Sequence, residues 1–154
     1  MSRLNANSFD DPGWAVVTQG ENERASGNFT DAIATFTSAI TDFTPDSPVA
    51  AVVETFICRG VAYGQLGQSK AAIEDFSQAI RLNPMHALAY FNRGYTFERQ
   101  GDFLQAVEDY GCAIELCSTK SDYYLHRGLC RKRLGDLGGA RSDFATVRQL
   151  RQRN

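Results

Sequence analysis

Apolar side chains recur along this chain at helical spacing. Counting from Ala72, they fall at Ile73, Phe76, Ala79 and Ile80. The same word returns as Ala106, Val107, Tyr110, Ala113 and Ile114, and earlier as Ala32, Ile33, Phe36, Ala39 and Ile40. Residues three, four, seven and eight apart share one face of an α-helix, so each word predicts an amphipathic helix. A second, shorter word precedes each one: Phe56-Ile57 before Gly60, Tyr90-Phe91 before Gly94, Tyr124-Leu125 before Gly128, and Val16-Val17 before Gly20. It predicts a partner helix. The last three pairs recur at a period of 34 residues, and a fixed period of that size marks stacked helical hairpins.

With the shared glycine numbered as position 8, four copies span 13–46, 53–86, 87–120 and 121–154, preceded by a polar segment at 1–12. The expectation is a single domain, 1–154, all-α, of about eight antiparallel helices. Each copy has helix A at about positions 2–14 and helix B at about 17–30. Gly27, Gly67, Gly101 and Gly135 close each helix A, where a left-handed backbone is needed. Asn28, Asp102 and Asp136 follow as N-cap residues. The extra residues 47–52, with Pro48 suited to a first helical turn, are expected to lengthen the next helix.

Recurring side chains give packing expectations. Glycine at position 8 and alanine at position 20 (Ala32, Ala72, Ala106, Ala140) let the two helices of a hairpin approach closely. Aromatics at position 24 (Phe36, Phe76, Tyr110, Phe144) and position 4 are assigned to the core. Arg59, Arg93 and Arg127 at position 7 occur only in copies that carry Asp75, Asp109 and Asp143 at position 23. The first copy has Gln19 and Thr35 instead. That co-occurrence predicts a bidentate Arg–Asp pair inside each of the last three hairpins. At positions 21 and 28, apolar in the first three copies, the last has Arg141 and Arg148, which is expected to end the stack with a polar face.

Composition narrows the classes. The formal charge of −2 gives no global pull toward nucleic acid or acidic membranes. The charge is polarised, with 4 basic and 10 acidic residues in 1–77, and 9 basic and 3 acidic in 118–154. No apolar run reaches the length of a membrane span. The first eleven residues lack the apolar core of a secretory signal, and a cytoplasmic location is expected. Cys58, Cys112, Cys117 and Cys130 fit reduced thiols.

The period, the glycine at position 8, the alanine at position 20, the small residue at position 27 and Pro84 at position 32 resemble the tetratricopeptide repeat (TPR) over residues 13–150. The arginines at position 7, usually Leu in that family, are a departure. The resemblance implies a right-handed α-solenoid and a non-enzymatic adaptor or scaffold for protein–protein interaction. Its concave face would be lined by positions 2, 5, 6, 9 and 12 of the A helices. Here those positions supply an apolar stripe, Val17, Ile57, Val61, Phe91, Tyr95, Leu125 and Leu129, with Asn92 and His126 as polar contacts. The implied occupant is a peptide or amphipathic helix of another protein, with homodimerisation through the same stripe as the alternative. The family's carboxylate clamp needs a Lys/Asn pattern that no frame of this chain supplies, so weak or no binding of an EEVD-type tail is expected.

Other chemistry weighs less. Asp122, His126 and Cys130 share one helix side, a pattern open to a nucleophile or a metal site, but Cys130 falls where Ala62 and Thr96 stand in other copies, a packed face. No cofactor, metal or catalysis is expected. Arg131-Lys132-Arg133 could touch nucleic acid, although a solvated face explains the run more simply.

Overall fold

The computed structural model describes residues 12–152. Residues 1–11 of the polar segment and Arg153 of the basic terminus lie outside the described residues. Eight α-helices follow in order: α1 Pro12–Ala25, α2 Phe29–Asp42, α3 Val49–Gln65, α4 Ser69–Leu82, α5 Ala87–Gln100, α6 Phe103–Leu116, α7 Ser121–Arg133 and α8 Leu137–Gln152. Successive pairs form four antiparallel hairpins stacked side by side as an α-solenoid, and each odd-numbered helix also touches the next odd-numbered one. The helix bounds follow the 34-residue frame closely. Residues 47–52 do extend α3, which starts just after Pro48 and runs for 17 residues.

Each hairpin turns at a glycine. Gly27, Gly67, Gly101 and Gly135 have φ between +73° and +87°, a region costly for residues with a Cβ. The N-cap expectation is corrected at two sites. Asn28 and Asp102 make no side-chain cap bond. Their carbonyls accept from Ala32 and Ala106 instead. Only the Asp136 carboxylate takes a backbone N–H, from Gly139 at 2.8 Å.

Small residues set the separation within a hairpin. A Cβ on Gly60 would stand 2.7 Å from the Phe76 ring, and one on Gly128 would stand 2.9 Å from that of Phe144. A methyl group there must displace the ring, a strain of about 1–3 kcal/mol. Across the turn, Ala32, Ala72 and Ala106 are fully buried beside Phe36, Phe76 and Tyr110. In the last hairpin Phe144 is only half-buried, because no further helix covers it among the described residues.

The three Arg–Asp pairs form. Arg93 donates from Nε and Nη2 to the two carboxylate oxygens of Asp109 at 2.8 and 2.7 Å. Arg59–Asp75 and Arg127–Asp143 repeat this fork. Burial pushes the Asp75 carboxyl above its ordinary value despite Arg59. The third guanidinium nitrogen reaches further than the sequence suggested. Arg59 Nη1 donates to Thr37 Oγ1 at 3.1 Å and Arg93 Nη1 to Ser77 Oγ at 3.0 Å, each on the preceding helix B. The position-4 rings are half-buried, not fully cored, since Phe56, Tyr90 and Tyr124 each lie under a guanidinium at 5.6–5.9 Å. One arginine thus ties its own hairpin to the one before it.

Two stability tests follow. Arg93→Ala strands a buried carboxylate and is expected to cost about 3 kcal/mol in urea unfolding, whereas Arg81→Ala on an exposed turn costs under about 0.5 kcal/mol. Arg93→Lys keeps the charge, loses the fork, and falls between them. At Gly111, the site equivalent to Ser77, a Cβ would lie 4.0 Å from Arg127 Nη1. Gly111→Ser supplies the missing hydroxyl and removes a mid-helix glycine, and should raise stability by about 1 kcal/mol.

Candidate partner-binding groove

Side chains four apart on a helix share a face. That rule aligns Ile57, Val61 and Gln65 on α3 and Phe91, Tyr95 and Arg99 on α5. Because α3, α5 and α7 run side by side, Val61, Gln65, Phe91, Tyr95 and Arg99 of these rows converge on one hollow of about 370 Å³. It is lined by Val61, Gly64 and Gln65 from α3, by Phe91, Asn92, Tyr95 and Arg99 from α5, and by His126 from α7, with Phe76 of α4 at its base.

The wall is aromatic. Phe91 stacks on Tyr123 with ring centroids 4.9 Å apart and lies 6.5 Å from Tyr95. The His126 imidazole meets both Phe91 and Tyr95 edge-on, at 5.6 and 5.4 Å. Tyr95 remains 42% exposed, so this apolar group faces the hollow. His126 is fixed by Glu98, whose Oε2 accepts from Nδ1–H at 2.9 Å and from the Tyr110 hydroxyl at 2.6 Å. A carboxylate has no proton to give, so Nδ1 carries the hydrogen of this bond. Burial works to raise the Glu98 carboxyl, but the bonds from His126 and Tyr110 outweigh it and hold the group below its ordinary value of 4.5. Arg99 Nη1 leans across to the Gly64 carbonyl at 3.3 Å, bringing positive charge to the rim.

The expected groove residues divide. Val61, Phe91, Asn92, Tyr95 and His126 line the hollow together. Leu129 is 40% exposed but borders a separate depression with Phe103 and Arg133. Leu125 is half-buried and outside both. Val17 and Ile57 are corrected, at 8% and 3% exposed. Ile57 belongs to the core with Val53 and Phe76, where position 5 meets the neighbouring helices and an aliphatic side chain sinks between them. Phe91, at the same position, is too large to sink and spills over the seam. Gln65 and Arg99 were missed, although their place one turn beyond Val61 and Tyr95 was a readable signal.

The remaining reactive-looking side chains are held in other roles. His126 pairs with Glu98, while Asp122 is exposed. Cys130 is fully buried, and burial pushes its thiol up to about 12. Burial, reinforced by the nearby Glu21 carboxylate, also raises the Cys58 thiol. Among the described residues no three His, Cys, Asp or Glu groups could hold a metal ion, and no helix is long and apolar enough to cross a membrane.

The Glu98 network carries a pH signature. A carboxylate held below its ordinary value adds stability above that value and loses it as the pH falls through the folded one. Glu98→Gln should therefore be less stable than the parent by about 1–2 kcal/mol at pH 7. Chemical unfolding across pH should show that gap closing on acidification below the ordinary carboxylate range.

Sequence and structure comparisons give concordant matches. Residues 60–101 match the family described as TPR repeat, and residues 87–120 match the tetratricopeptide repeat. No match is found among curated proteins. The second TPR of Spaghetti (RPAP3), solved bound to the HSP90 peptide SRMEEVD, is 30% identical. The match covers 64% of this chain and 91% of that one, with a TM-score of 0.62. A crystal structure of MamA matches at 22% identity and a TM-score of 0.83 over 92% of this chain and 80% of that one. MamA 41-end from Desulfovibrio magneticus RS-1 matches at 18% and 0.80 over 94% and 78%. With its hairpins, its recurring turn geometry and these matches all in one register, the chain belongs to the tetratricopeptide repeat family.

Proposed function

We propose that this protein is a non-enzymatic adaptor that holds a segment of a partner protein in the hollow between α3, α5 and α7. The observation that carries this reading is Tyr95, an aromatic side chain 42% exposed in an aromatic-walled depression. Exposed apolar surface of this kind marks interaction sites, and aromatic groups ringed by polar ones dominate interface energetics. The hollow takes one or two anchoring side chains of a peptide. Asn92 and Gln65 offer amide donors and acceptors to its backbone, and Arg99 and the His126 ring stand at the edge.

The RPAP3 domains solved with an HSP90 peptide raise the question of an acidic C-terminal tail as the occupant. The local chemistry argues for a different segment. The frame that would clamp a terminal carboxylate presents Ile57 in the core, Val61 apolar, and Asp122 with the wrong charge. Hydrophobic anchoring without a carboxylate clamp is the reading the groove supports.

Two binding measurements test this. Titration with the peptide SRMEEVD should give a Kd weaker than about 1 mM; saturation in the micromolar range would overturn the assignment of the groove as apolar. Peptides selected on the protein from a random library should share an apolar or aromatic anchor. They should lose at least about tenfold in affinity, or about 1.4 kcal/mol, to Tyr95→Glu and nothing to Leu104→Glu, an exposed position on α6. Equal binding by both variants would place the site elsewhere.

A further inference from the structure

On α5 and α7 one arrangement of side chains occurs twice. Position 9 carries a large apolar group, Tyr95 on α5 and Leu129 on α7. Position 13, one turn further, carries an arginine, Arg99 and Arg133. Side chains four apart share a helix face, so each arginine stands beside its apolar neighbour. The earlier copies break the pattern, since Gln65 follows Val61 and Ala25 follows Glu21. Tyr95 and Leu129 are 42% and 40% exposed, and both arginines are exposed. The two units adjoin. Arg99 lines the hollow with Tyr95, and it also lines the depression of about 440 Å³ that holds Phe103, Leu129 and Arg133. Hollow and depression are neighbouring parts of one trough, with Arg99 common to both.

Charge in the trough is one-sided. The position-7 arginines are forked onto their aspartates, and Arg24 and Arg131 also have carboxylate partners. Arg99 bonds to the Gly64 carbonyl, and among the described residues neither it nor Arg133 is paired with a carboxylate. Glu98, which lines the second depression, is turned to the His126 ring and the Tyr110 hydroxyl. Arg141 and Arg148 lie elsewhere. They border a separate depression at the open end of the stack, with Leu137, 60% exposed, and half-buried Phe144. Arg99 and Arg133 also sit in the last turns of their helices, where a cation complements the dipole. That effect accepts a cation anywhere in the turn, Lys132 included, and does not select the position beside an exposed apolar group.

We propose that the partner segment is an extended peptide with two apolar anchors and an acidic side chain between them. One anchor enters the hollow at Tyr95, the other lies against Leu129 and Phe103, and the carboxylate is held by Arg99 and Arg133. This rests on the reading of the hollow as the partner site, and adds to it a second subsite and a charge requirement. The charge recognised is an internal aspartate or glutamate, not a chain terminus. α5 and α7 touch, which places their axes about 8–10 Å apart at the contact. An extended chain turns alternate side chains to opposite faces at about 3.3 Å per residue. The shortest one-faced order on that scale with an acid between two anchors is apolar–x–acidic–x–apolar. The peptide SRMEEVD lacks it, because its Met and Val are three apart and turn to opposite faces.

Selection from a random peptide library on the full chain and, separately, on Arg99→Glu/Arg133→Glu tests this. Peptides from the parent should share the apolar–x–acidic–x–apolar order. Those from the variant should keep both anchors and carry Lys or Arg in place of the acid. Neutralising one exposed ion pair costs little, so charge reversal is the sharper probe. A synthetic peptide from the parent's pool should lose at least about tenfold in affinity to Arg99→Glu, to Arg133→Glu and to Leu129→Glu. It should lose nothing to Arg141→Glu, an equal change of charge outside the trough. All these positions are exposed, and each variant is compared at an unchanged helical signal. Anchored peptides with no shared acid, indifference to Leu129→Glu, or an equal loss with Arg141→Glu would each overturn the inference and leave the hollow as the partner site. Peptides with no shared anchor, or peptides unaffected by Tyr95→Glu, would overturn that reading and this one with it.

Discussion

The forked pair between a position-7 arginine and a position-23 aspartate is the constraint on which the rest of this solenoid depends. A buried ion pair is weak evidence of net stability, because desolvating both charges offsets much of their attraction. Asp75, raised by burial although Arg59 sits on it, shows that opposition directly. What the fork does supply is geometry. Two parallel bonds fix the rotation of helix A against helix B. The third nitrogen of Arg59 or Arg93 fixes the hairpin against its predecessor, and the position-4 ring beneath the guanidinium fixes the arginine itself. A slip of one residue in either helix would leave a carboxylate buried without a partner, which disfavours alternative registers far more than apolar packing alone would.

The first hairpin lacks this device and shows what replaces it. Gln19 and Thr35 stand where the pair would be. Glu23 instead accepts from both the Thr35 hydroxyl, at 2.7 Å, and the Gln19 amide, at 3.1 Å. Arg24 forks onto Glu21 on its own helix, which tethers nothing across the hairpin. Phe36 still closes against Gly20, so the helix separation is kept while the rotational lock is looser. The connection at residues 43–48 and the lengthened start of α3 also fall here. The regular part of the stack thus begins at α3, and the hollow lies wholly within that part.

Legibility followed the range of the interaction. Turn glycines, close-packed alanines and the Arg–Asp pairs could be read because each recurs in register, so a single chain supplies its own comparison. The hydroxyl partners on Thr37 and Ser77 were not read, because Gly111 breaks the series at the third junction. For the groove, the family frame named residues of which five line one hollow, but it did not give the depth of each side chain. Depth depends on size against a fixed gap, so Ile57 sinks into the seam while Phe91, at the same position, remains at the surface. The basic end was legible as charge and was expected to be a cap. Leu137 and Phe144, which keep that end partly apolar, emerge only when the equivalent seat is seen filled in the preceding repeat.

The hollow and the seats between hairpins use different faces of the same helices, and this follows from helical periodicity. On α5, Phe91, Asn92, Tyr95 and Arg99, at positions 5, 6, 9 and 13, line the hollow. Positions 3, 7 and 10 of the same helix point to the preceding hairpin, where Arg59 and Arg93 find their hydroxyls. An occupant of the hollow therefore need not displace the arginine–hydroxyl contacts between hairpins. The Glu98 network is shared by both faces, since Glu98 on α5 orients His126 on α7 for the hollow while also holding the Tyr110 hydroxyl of α6. Tyr110 is at the base of the seat on which α7 rests. Any shift of α7 on that seat would move His126 against Phe91 and Tyr95, so the aromatic wall of the groove is only as rigid as the junction between the third and fourth hairpins.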